Sequence, residues 1–247
     1  MPIRDQMDAF VRSIALKRDT VPSFGEYPFN IPAVRHLDTL ALHPEVTYIV
    51  GENGTGKSTL LEAVAVAAGF NAEGGGRNFN FATNETHTSL HEHIRLVRGV
   101  RRPTDGFFLR AESLYTVATY LEQLDPPVLD AYGGVSLHQR SHGEAFMAVL
   151  MERFKGNGLY ILDEPEAALS PRRQLAVLSV LRKLVGRGSQ FIIATHSPIV
   201  MAYPGALIHT LDEDGLRETP YLETEHYTLA RDFFLHTETM LDGLMSE

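Results

Sequence analysis

The feature that most constrains the fold is the stretch VTYIVGENGTGKST at residues 46–59. A β-branched and aromatic run leads into a turn with three glycines, and Lys-Ser-Thr then opens an Ala-rich segment. This order of strand, glycine-rich loop and helix is the setting in which the pattern G-x-x-x-x-G-K-[ST] binds phosphate. Glycines let the backbone curl with its N–H groups pointing inward, at a helix N-terminus that favours anions. The stretch therefore predicts a phosphate-binding loop.

The residue types in this loop predict that it binds a nucleotide with β- and γ-phosphates together with Mg²⁺. The ammonium of Lys57 is expected on the β- and γ-phosphates, and the hydroxyl of Ser58 on Mg²⁺. A glycine-rich turn that happens to precede a helix is the alternative, and the Lys-Ser pair in register after a buried strand argues against it. The predicted nucleotide-binding residues are Gly51, Glu52, Asn53, Gly54, Thr55, Gly56, Lys57, Ser58 and Thr59.

Composition bounds the class of protein. The 247 residues are 44% hydrophobic and 21% charged, which is typical of a folded domain. Since no linker divides them, we predict a single domain over residues 1–247, with an inserted lobe at about 71–140 and C-terminal strands and helices at about 206–247. No apolar run is long enough to cross a bilayer, and the N-terminus lacks a signal-peptide core. With no cysteine for disulfides, we expect a cytoplasmic protein without direct membrane insertion.

The net charge of −9 opposes binding to nucleic acid except through a local patch. One candidate patch exists in the segment 87–102. We favour a solvated strand edge there, because charges deter edge-to-edge pairing, over a nucleic-acid contact. His91 and His93 would share one face of this strand, but no carboxylate cluster nearby supports a metal site. The arginines of the patch are Arg95, Arg98, Arg101 and Arg102.

The second half of the chain predicts a parallel sheet. LYILDEPE at 159–166 and QFIIATHSP at 190–198 read as buried strands on either side of a helix at 171–185. Ligands bind at the carboxyl ends of the strands in such sheets. Gly51, Asp163 and His196 fall at such ends, so we expect three distant segments to meet in one site.

Polar residues at these strand ends have expected roles in hydrolysis. Asp163 can hold Mg²⁺ opposite Ser58. Glu164 points elsewhere and suits a general base aimed at the γ-phosphate. His196 is expected to hydrogen-bond the γ-phosphate. A solvent-facing acidic turn and a core histidine are the alternatives, and the joint occurrence with the phosphate loop disfavours both.

The remaining segments carry less information. Residues 10–17 alternate well enough for an edge strand, and residues 38–42 suggest a second strand. Tyr27 or Phe29 could stack on adenine, although packing of their loop onto the core is the favoured alternative. The tail is predicted to form two short strands and helices, and we assign it no chemistry, since His226 and its aromatic neighbours suit packing.

The ordered motifs resemble those of the ABC-type ATPases. GENGTGKS resembles the Walker A motif, LYILDEPE the Walker B motif with its catalytic glutamate, EAALSP the D-loop, and IIATHSP the switch-histidine segment. The sequence Ser141-His142-Gly143-Glu144 is similar to the signature of the SMC and RecF branch, which ends Ser-x-Gly-Glu. Small stand-alone predicted ATPases of this type carry a similar FFLRAES segment and no long coiled coil.

The resemblance implies an α/β fold of the P-loop NTPase type. Its expected form is a mostly parallel sheet flanked by helices, with an N-terminal antiparallel β subdomain and a small inserted subdomain. It further implies catalytic roles for Glu164, His196 and Lys57, and metal binding by Ser58 and Asp163. Ser141, Gly143 and Glu144 are the implied signature residues that cap the nucleotide of a partner subunit.

Two positions depart from the family pattern. Where a glutamine usually follows the strand between Walker A and the signature, this sequence has Glu112. A carboxylate there could bind the metal, but it would add repulsion toward the γ-phosphate. Arg140 replaces the usual leucine before Ser141.

The resemblance implies a homodimer that sandwiches two Mg-ATP, closes on ATP and opens after hydrolysis to ADP and phosphate. By resemblance to the SMC and RecF branch, its expected role is a conformational switch acting on DNA or another macromolecule, in DNA maintenance or defence. The alternatives are the nucleotide-binding subunit of a membrane transporter and a slow-turnover interaction module timed by nucleotide. A small-molecule kinase is disfavoured, because Glu-Pro-Glu and a distant Thr-His-Ser suit water rather than a substrate hydroxyl.

Overall fold

A computed structural model describes residues 6–76, 88–124 and 129–246. The strands are Val11–Leu16 (β1), Thr39–Ala41 (β2), Val46–Gly51 (β3), Ile94–Arg98 (β4), Asp105–Arg110 (β5), Gly158–Asp163 (β6), Gln190–Ala194 (β7), Leu207–Asp212 (β8) and Gly215–Glu218 (β9). The α-helices are Pro32–Arg35 (α1), Lys57–Ala68 (α2), Leu90–His93 (α3), Leu114–Gln123 (α4), His142–Ala148 (α5), Pro171–Gly186 (α6), Glu225–Leu235 (α7) and Thr237–Met245 (α8).

Shorter helical segments connect these elements. A π-helical turn, Val149–Arg153, continues α5. The 3₁₀ turns are Gln6–Asp8, Arg18–Thr20, Asp130–Tyr132, Leu137–Gln139, Pro165–Ala168, Val200–Ala202 and Tyr221–Glu223.

The larger sheet has six strands in the order β5-β6-β7-β3-β8-β9. Its first five strands run parallel, and β9 returns antiparallel to β8. Parallel strands must be buried on both faces, which explains the apolar runs of β3, β6 and β7. Together with the smaller antiparallel sheet β2-β1-β4, this arrangement confirms the predicted fold class.

Alternating residues of the parallel strands feed two separate cores. Tyr48 and Val50 point to a core shared with α4, α5 and α6. Ile49 between them points to the opposite core, shared with α2 and the smaller sheet. This alternation follows from the two-residue period of a strand. The site therefore sits on a sheet that is covered on both faces.

Two buried polar side chains join the sheets. Gln190 in β7 accepts hydrogen bonds from the backbone N–H groups of Phe10 and Val11, both at 3.0 Å, and donates to the carbonyl oxygens of Val11 and His43. His209 in β8 donates through Nε2 to the carbonyl oxygen of Ala41, at 2.8 Å. The smaller sheet is thus tied to the larger one through specific polar contacts.

The predicted edge strand at residues 10–17 is wrong in its position. β1 lies at the centre of the smaller sheet, because β4, some eighty residues later in the chain, pairs with its second edge. Such a long-range pairing has no local sequence signal. The segment predicted as an inserted lobe contributes β4 to the smaller sheet and β5 to the larger one, and the division of the chain into domain and lobe stays a prediction.

The prediction that His91 and His93 share one face of a strand is also wrong. Both lie in the short helix α3, where positions two residues apart diverge. His93 packs edge-on against Phe29, with ring centroids 5.0 Å apart, and its Nδ1 lies 2.9 Å from Thr20 Oγ1. These contacts are structural, since they join the residue before β4 to the 3₁₀ turn Arg18–Thr20 and to the loop before α1.

Candidate functional site

The phosphate loop, between β3 and α2, requires glycine at two of its positions. Gly51 and Gly56 have φ of +151° and +100°. A β-carbon on Gly51 would collide with the carbonyl oxygen of Leu211 in β8, and one on Gly56 would press into the side chain of Ile31. The loop therefore folds tightly against neighbouring backbone, which only glycine permits.

Lys57, the first residue of α2, directs its ammonium into this loop. Its Nζ donates to the carbonyl oxygens of Gly51 and Glu52, both at 2.8 Å. Burial lowers the pKa of the Lys57 ammonium, while the carboxylates of Glu164 and Asp163 act in the opposite direction. The loop carbonyls thus hold the ammonium inside the curl, and its predicted contact with phosphate stays a prediction.

Asp163 ends β6 directly opposite the start of α2. Ser58 Oγ donates to Asp163 Oδ1 at 3.1 Å, which joins the two residues predicted to bind Mg²⁺. Asp163 is only 5% exposed. Its pKa is raised to about 6, chiefly by burial, although the Arg110 guanidinium and the Ser58 hydroxyl favour its charged form. The loss of water around this carboxylate therefore outweighs its favourable contacts.

Arg110, at the end of β5, is a site residue that sequence reasoning missed. Its Nε lies 3.4 Å from Asp163 Oδ2, and its Nη1 lies 2.9 Å from Glu62 Oε2 in α2. Glu112, predicted to bind metal, lies exposed in the turn after β5 and contributes to the raised pKa of Asp163. Arg110 is the residue of this segment that contacts Asp163. A metal role for Glu112 stays a prediction.

Glu164 and His196 meet across the ends of β6 and β7. Glu164 adopts left-handed backbone geometry with φ of +49°, and its N–H donates to the carbonyl oxygen of Ala194. A non-glycine residue in this region costs about 1–3 kcal/mol, so the surrounding structure must enforce it. His196 Nε2 lies 3.5 Å from Glu164 Oε1. The two residues predicted to act in hydrolysis are therefore adjacent.

Glu166, two residues beyond, fixes the switch-histidine segment. It accepts hydrogen bonds from Thr195 Oγ1, at 2.7 Å, and from the backbone N–H of His196. Sequence reasoning assigned no role to Glu166, the second glutamate of Glu-Pro-Glu, because its partner His196 lies thirty residues away. The D-loop and the switch-histidine segment are thus held together through Glu166.

A cleft of about 720 Å³ opens between the phosphate loop and the C-terminal part of the chain. Glu52, Asn53, Gly54 and Thr55 line one side. The β8–β9 hairpin and the first turns of α7 line the other side, including His226, whose Nε2 lies 3.4 Å from His196 Nδ1. The tail, to which we assigned no chemistry, therefore reaches the site.

The signature residues form the start of α5. Ser141 Oγ accepts from the Glu144 N–H, and Glu144 Oε2 accepts from the Ser141 N–H at 3.0 Å, which is a capping box. Gly143 is buried against the carbonyl oxygen of Ala168 and the Arg173 side chain, where a β-carbon would collide. The signature thus packs against the D-loop of its own chain.

The two aromatic candidates for adenine stacking differ in exposure. Phe29 is 3% exposed and packs against His93, so its ring is used in the core. Tyr27 is 62% exposed, and its hydroxyl lies 3.3 Å from Thr59 Oγ1 in α2. Of the two rings, only Tyr27 remains accessible beside the phosphate loop.

Two family models match the sequence. One, described as "AAA domain", matches residues 27–109, and the other, described as "AAA domain, putative AbiEii toxin, Type IV TA system", matches residues 114–202. The first covers the phosphate loop and the second covers the signature, Asp163 and His196. Together the matches include the phosphate loop, the signature and the ends of β6 and β7, whereas Arg110 and His226 lie outside them.

Comparisons with individual proteins also find similar ATP-binding proteins. The chain is 25% identical over 225 residues to the macrolide export ATP-binding/permease protein MacB of Marinobacter nauticus, which covers 82% of this chain and 34% of the relative. It is 26% identical over 208 residues to the galactose/methyl galactoside import ATP-binding protein MglA of Escherichia coli, covering 72% of this chain and 40% of the relative. The chain thus spans less than half the length of these relatives.

Similar solved structures include the SMC head domain from Thermotoga maritima. That match has a TM-score of 0.45 and 17% sequence identity, and it covers 85% of this chain and 98% of the other.

Within the described part of the chain, every helix is too short or too polar to cross a lipid bilayer.

Proposed function

We propose that this chain, an ABC-type P-loop ATPase by its motifs and its similar proteins, hydrolyses Mg-ATP to ADP and phosphate within a homodimer that closes on two nucleotides. We assign it to the SMC- and RecF-like branch on its Ser-x-Gly-Glu signature. The observation that carries the proposal is the 3.1 Å hydrogen bond from Ser58 Oγ to Asp163 Oδ1. It brings Walker A and Walker B together at the point where a triphosphate and its metal would be held.

The residues present fit Mg²⁺. Mg²⁺ prefers hard oxygen ligands and usually keeps several of its waters, so a hydroxyl and a carboxylate are enough protein ligands. Ser58 and Asp163 supply these two groups. Among the described residues, no group of three or more His, Asp or Glu side chains is arranged to hold a metal. When bound, Mg²⁺ supplies neutralisation of charge on the β- and γ-phosphates.

Glu164 is the proposed general base. It follows the metal-binding carboxylate, its left-handed backbone turns its side chain toward His196, and its carboxylate remains partly exposed. It can therefore accept a proton from a water molecule at the γ-phosphate. Lys57 is proposed to bind the β- and γ-phosphate oxygens after leaving the loop carbonyls, and His196 to donate to the γ-phosphate.

The homodimer is proposed on the exposure of the signature. Ser141 lies exposed at the start of α5, with backbone N–H groups that attract anions. The phosphate loop of the same chain already has its own helix N-terminus, so the exposed start of α5 suits the nucleotide of a partner. Tyr27, exposed beside Thr59, is the proposed stacking surface for adenine.

The proposed role is an ATP-driven switch on a macromolecular partner, with DNA as one candidate. The Type IV toxin–antitoxin description of one matching model supports a role in defence. The observation that supports the transporter alternative is that the names of MacB and MglA describe export and import proteins. Recovery of the chain from a membrane fraction with a permease would support the transporter role. Stimulation of ATP turnover by single- or double-stranded DNA would support the switch, and turnover that stays slow with every polymer would support the timing module.

The Glu164→Gln variant tests the proposed function. Loss of the base should lower kcat by about 100-fold or more while ATP still binds. The variant should then remain dimeric with Mg-ATP in light scattering, whereas wild type returns to monomer as ATP is consumed. Lys57→Ala is the matched variant that should lose ATP binding, and it should therefore stay monomeric with ATP. Unchanged turnover in either variant, or a monomeric Glu164→Gln protein in saturating Mg-ATP, contradicts the proposal.

A further inference from the structure

The first turn of the C-terminal helix α7 contacts the switch histidine. His226 Nε2 lies 3.4 Å from His196 Nδ1, and the two ring centroids are 5.5 Å apart. His226 also lines the cleft beside the phosphate loop. A residue from the tail thus touches the ring nitrogen of His196 that faces away from Glu164.

The backbone N–H and the Nε2 of His196 face two glutamates of the site. Its backbone N–H donates to Glu166, which fixes the main chain. Its Nε2 is buried, has no hydrogen bond within the described residues, and lies 3.5 Å from Glu164 Oε1. The ring orientation is therefore defined by two neighbours, the Glu164 carboxylate at Nε2 and His226 at Nδ1.

The chemistry of these neighbours selects one arrangement of protons. An ionised carboxylate only accepts hydrogen bonds, so of the two neutral tautomers of His196 the one with its proton on Nε2 fits the position of the Glu164 carboxylate. Its Nδ1 then carries a lone pair, and the neighbouring His226 Nε2 must carry a proton to form an attractive contact. The opposite arrangement would set the Nε2 lone pair of His196 against the negative carboxylate.

We propose that His226 is a positioning residue for ATP hydrolysis, whose Nε2–H donates to His196 Nδ1 and keeps the Nε2–H of His196 directed toward Glu164 and the γ-phosphate. The inference rests on the proposed ATPase function, which it deepens. The arrangement follows the general rule that a partner at one ring nitrogen of a histidine fixes its tautomer and orientation.

The surroundings of His226 favour the neutral ring that this contact needs. Its pKa is lowered first by burial and then by His196, and Lys57 acts in the same direction. Glu225 and Glu52 oppose this shift. A neutral His226 has one N–H and one free nitrogen, so it can serve as the donor to His196.

A matched pair of substitutions isolates the donor. Glutamine places its side-chain nitrogen at the same distance along the chain as His Nε2, whereas asparagine reaches only the position of Nδ1. His226→Asn should lower kcat by about 10- to 100-fold with KM and ATP affinity unchanged, and His226→Gln should recover most of the rate. His236→Asn, which alters an exposed histidine at the start of α8, is the control and should match wild type. Equal rates for His226→Asn and wild type would overturn the proposal.

A measurement without nucleotide separates this inference from the proposed function. The ¹⁵N NMR shifts of histidine rings distinguish the two neutral tautomers, and His196→Gln assigns the signal. Wild type and His226→Gln should show His196 protonated on Nε2, and His226→Asn should show a mixture of tautomers. A proton on Nδ1 of His196 in wild type would overturn the contact even if ATP is hydrolysed. An inactive wild type with the expected tautomer would instead overturn the ATPase function.

Discussion

Arg110 provides the counter-charge for the buried Asp163. Its guanidinium lies between Asp163 and Glu62, at 3.4 and 2.9 Å, and is itself largely buried. Two partly buried carboxylates that share one guanidinium would each lose a favourable charge interaction without it. Arg110 therefore allows the two acidic side chains to coexist in the absence of nucleotide.

Replacement of Arg110 should therefore destabilise the nucleotide-free protein. At pH 8, where Asp163 is ionised, Arg110→Met should reduce the free energy of unfolding by about 2–4 kcal/mol, because the partly buried Asp163 and Glu62 lose their ion pairs with Arg110. The variant raises the folded-state pKa of Asp163 further, so its stability falls as the pH rises, and the loss should be smaller at pH 5. Urea denaturation at both pH values measures this.

Arg95→Met, at an exposed arginine of β4, is the control for Arg110→Met. It should change the free energy of unfolding by about 0.5 kcal/mol or less at either pH. If the two variants lost the same stability, or if the loss in Arg110→Met were larger at pH 5, the counter-charge role of Arg110 would be contradicted.

Single residues at the site were predictable where a local pattern identifies them. The pattern G-x-x-x-x-G-K-[ST] and the carboxylates after a buried strand located Lys57, Ser58 and Asp163. Arg110 ends the buried strand β5 within the FFLRAES segment and His226 lies in the tail, but the partners that give them their importance, Asp163 and His196, lie far along the chain. Their roles therefore follow from tertiary contacts, which periodicity and spacing do not encode.

At the scale of elements, His209 joins the two sheets. It lies in β8 opposite Glu218 of β9, and its Nε2 donates to the Ala41 carbonyl oxygen in β2. Burial is the main cause of its lowered pKa, and the hydrogen bond to Ala41 and the charge of Glu218 act against it. A neutral ring is therefore the form that the folded protein prefers.

His209→Gln should make stability less dependent on pH. A histidine whose folded-state pKa is lowered contributes fully above its unfolded pKa of about 6.5, and this contribution is lost as the pH falls through the folded-state value. Glutamine can still donate to Ala41 but does not titrate. The free energy of unfolding, measured in urea from pH 7.5 to pH 5, should fall less in the variant than in wild type. His236→Gln, at an exposed position, should follow wild type, and parallel curves for His209→Gln and wild type would contradict the assignment.

The elements of the larger sheet were predictable, whereas the assembly of the smaller one was not. β3, β6 and β7 are continuous apolar runs that end in polar residues, which is a local signal for buried parallel strands. β1 has the same local appearance whether it lies at an edge or at the centre. Its position depends on β4, and that pairing is decided by contacts between distant segments.

At the scale of the whole molecule, the proposed dimer needs each chain twice, once for its phosphate loop and once for its signature. In a twofold dimer, Lys57 of one subunit and Ser141 of the other would belong to the same site. Two inactive variants with defects in different halves should then complement each other. This is a consequence of the dimer that a monomeric ATPase does not share.

We expect Lys57→Ala and Ser141→Arg to be inactive separately and active when mixed. Lys57→Ala removes the phosphate contact from both sites, and Ser141→Arg blocks both signatures with a bulky side chain at the exposed start of α5. In a mixed dimer, the intact phosphate loop of one variant faces the intact signature of the other. If equal amounts associate at random, about half of the dimers are mixed and each has one complete site, so up to about a quarter of wild-type turnover should return. The double variant Lys57→Ala/Ser141→Arg mixed with Lys57→Ala has no complete site and should stay inactive. Turnover of the first mixture equal to the sum of its separate components would mean that hydrolysis needs no partner signature.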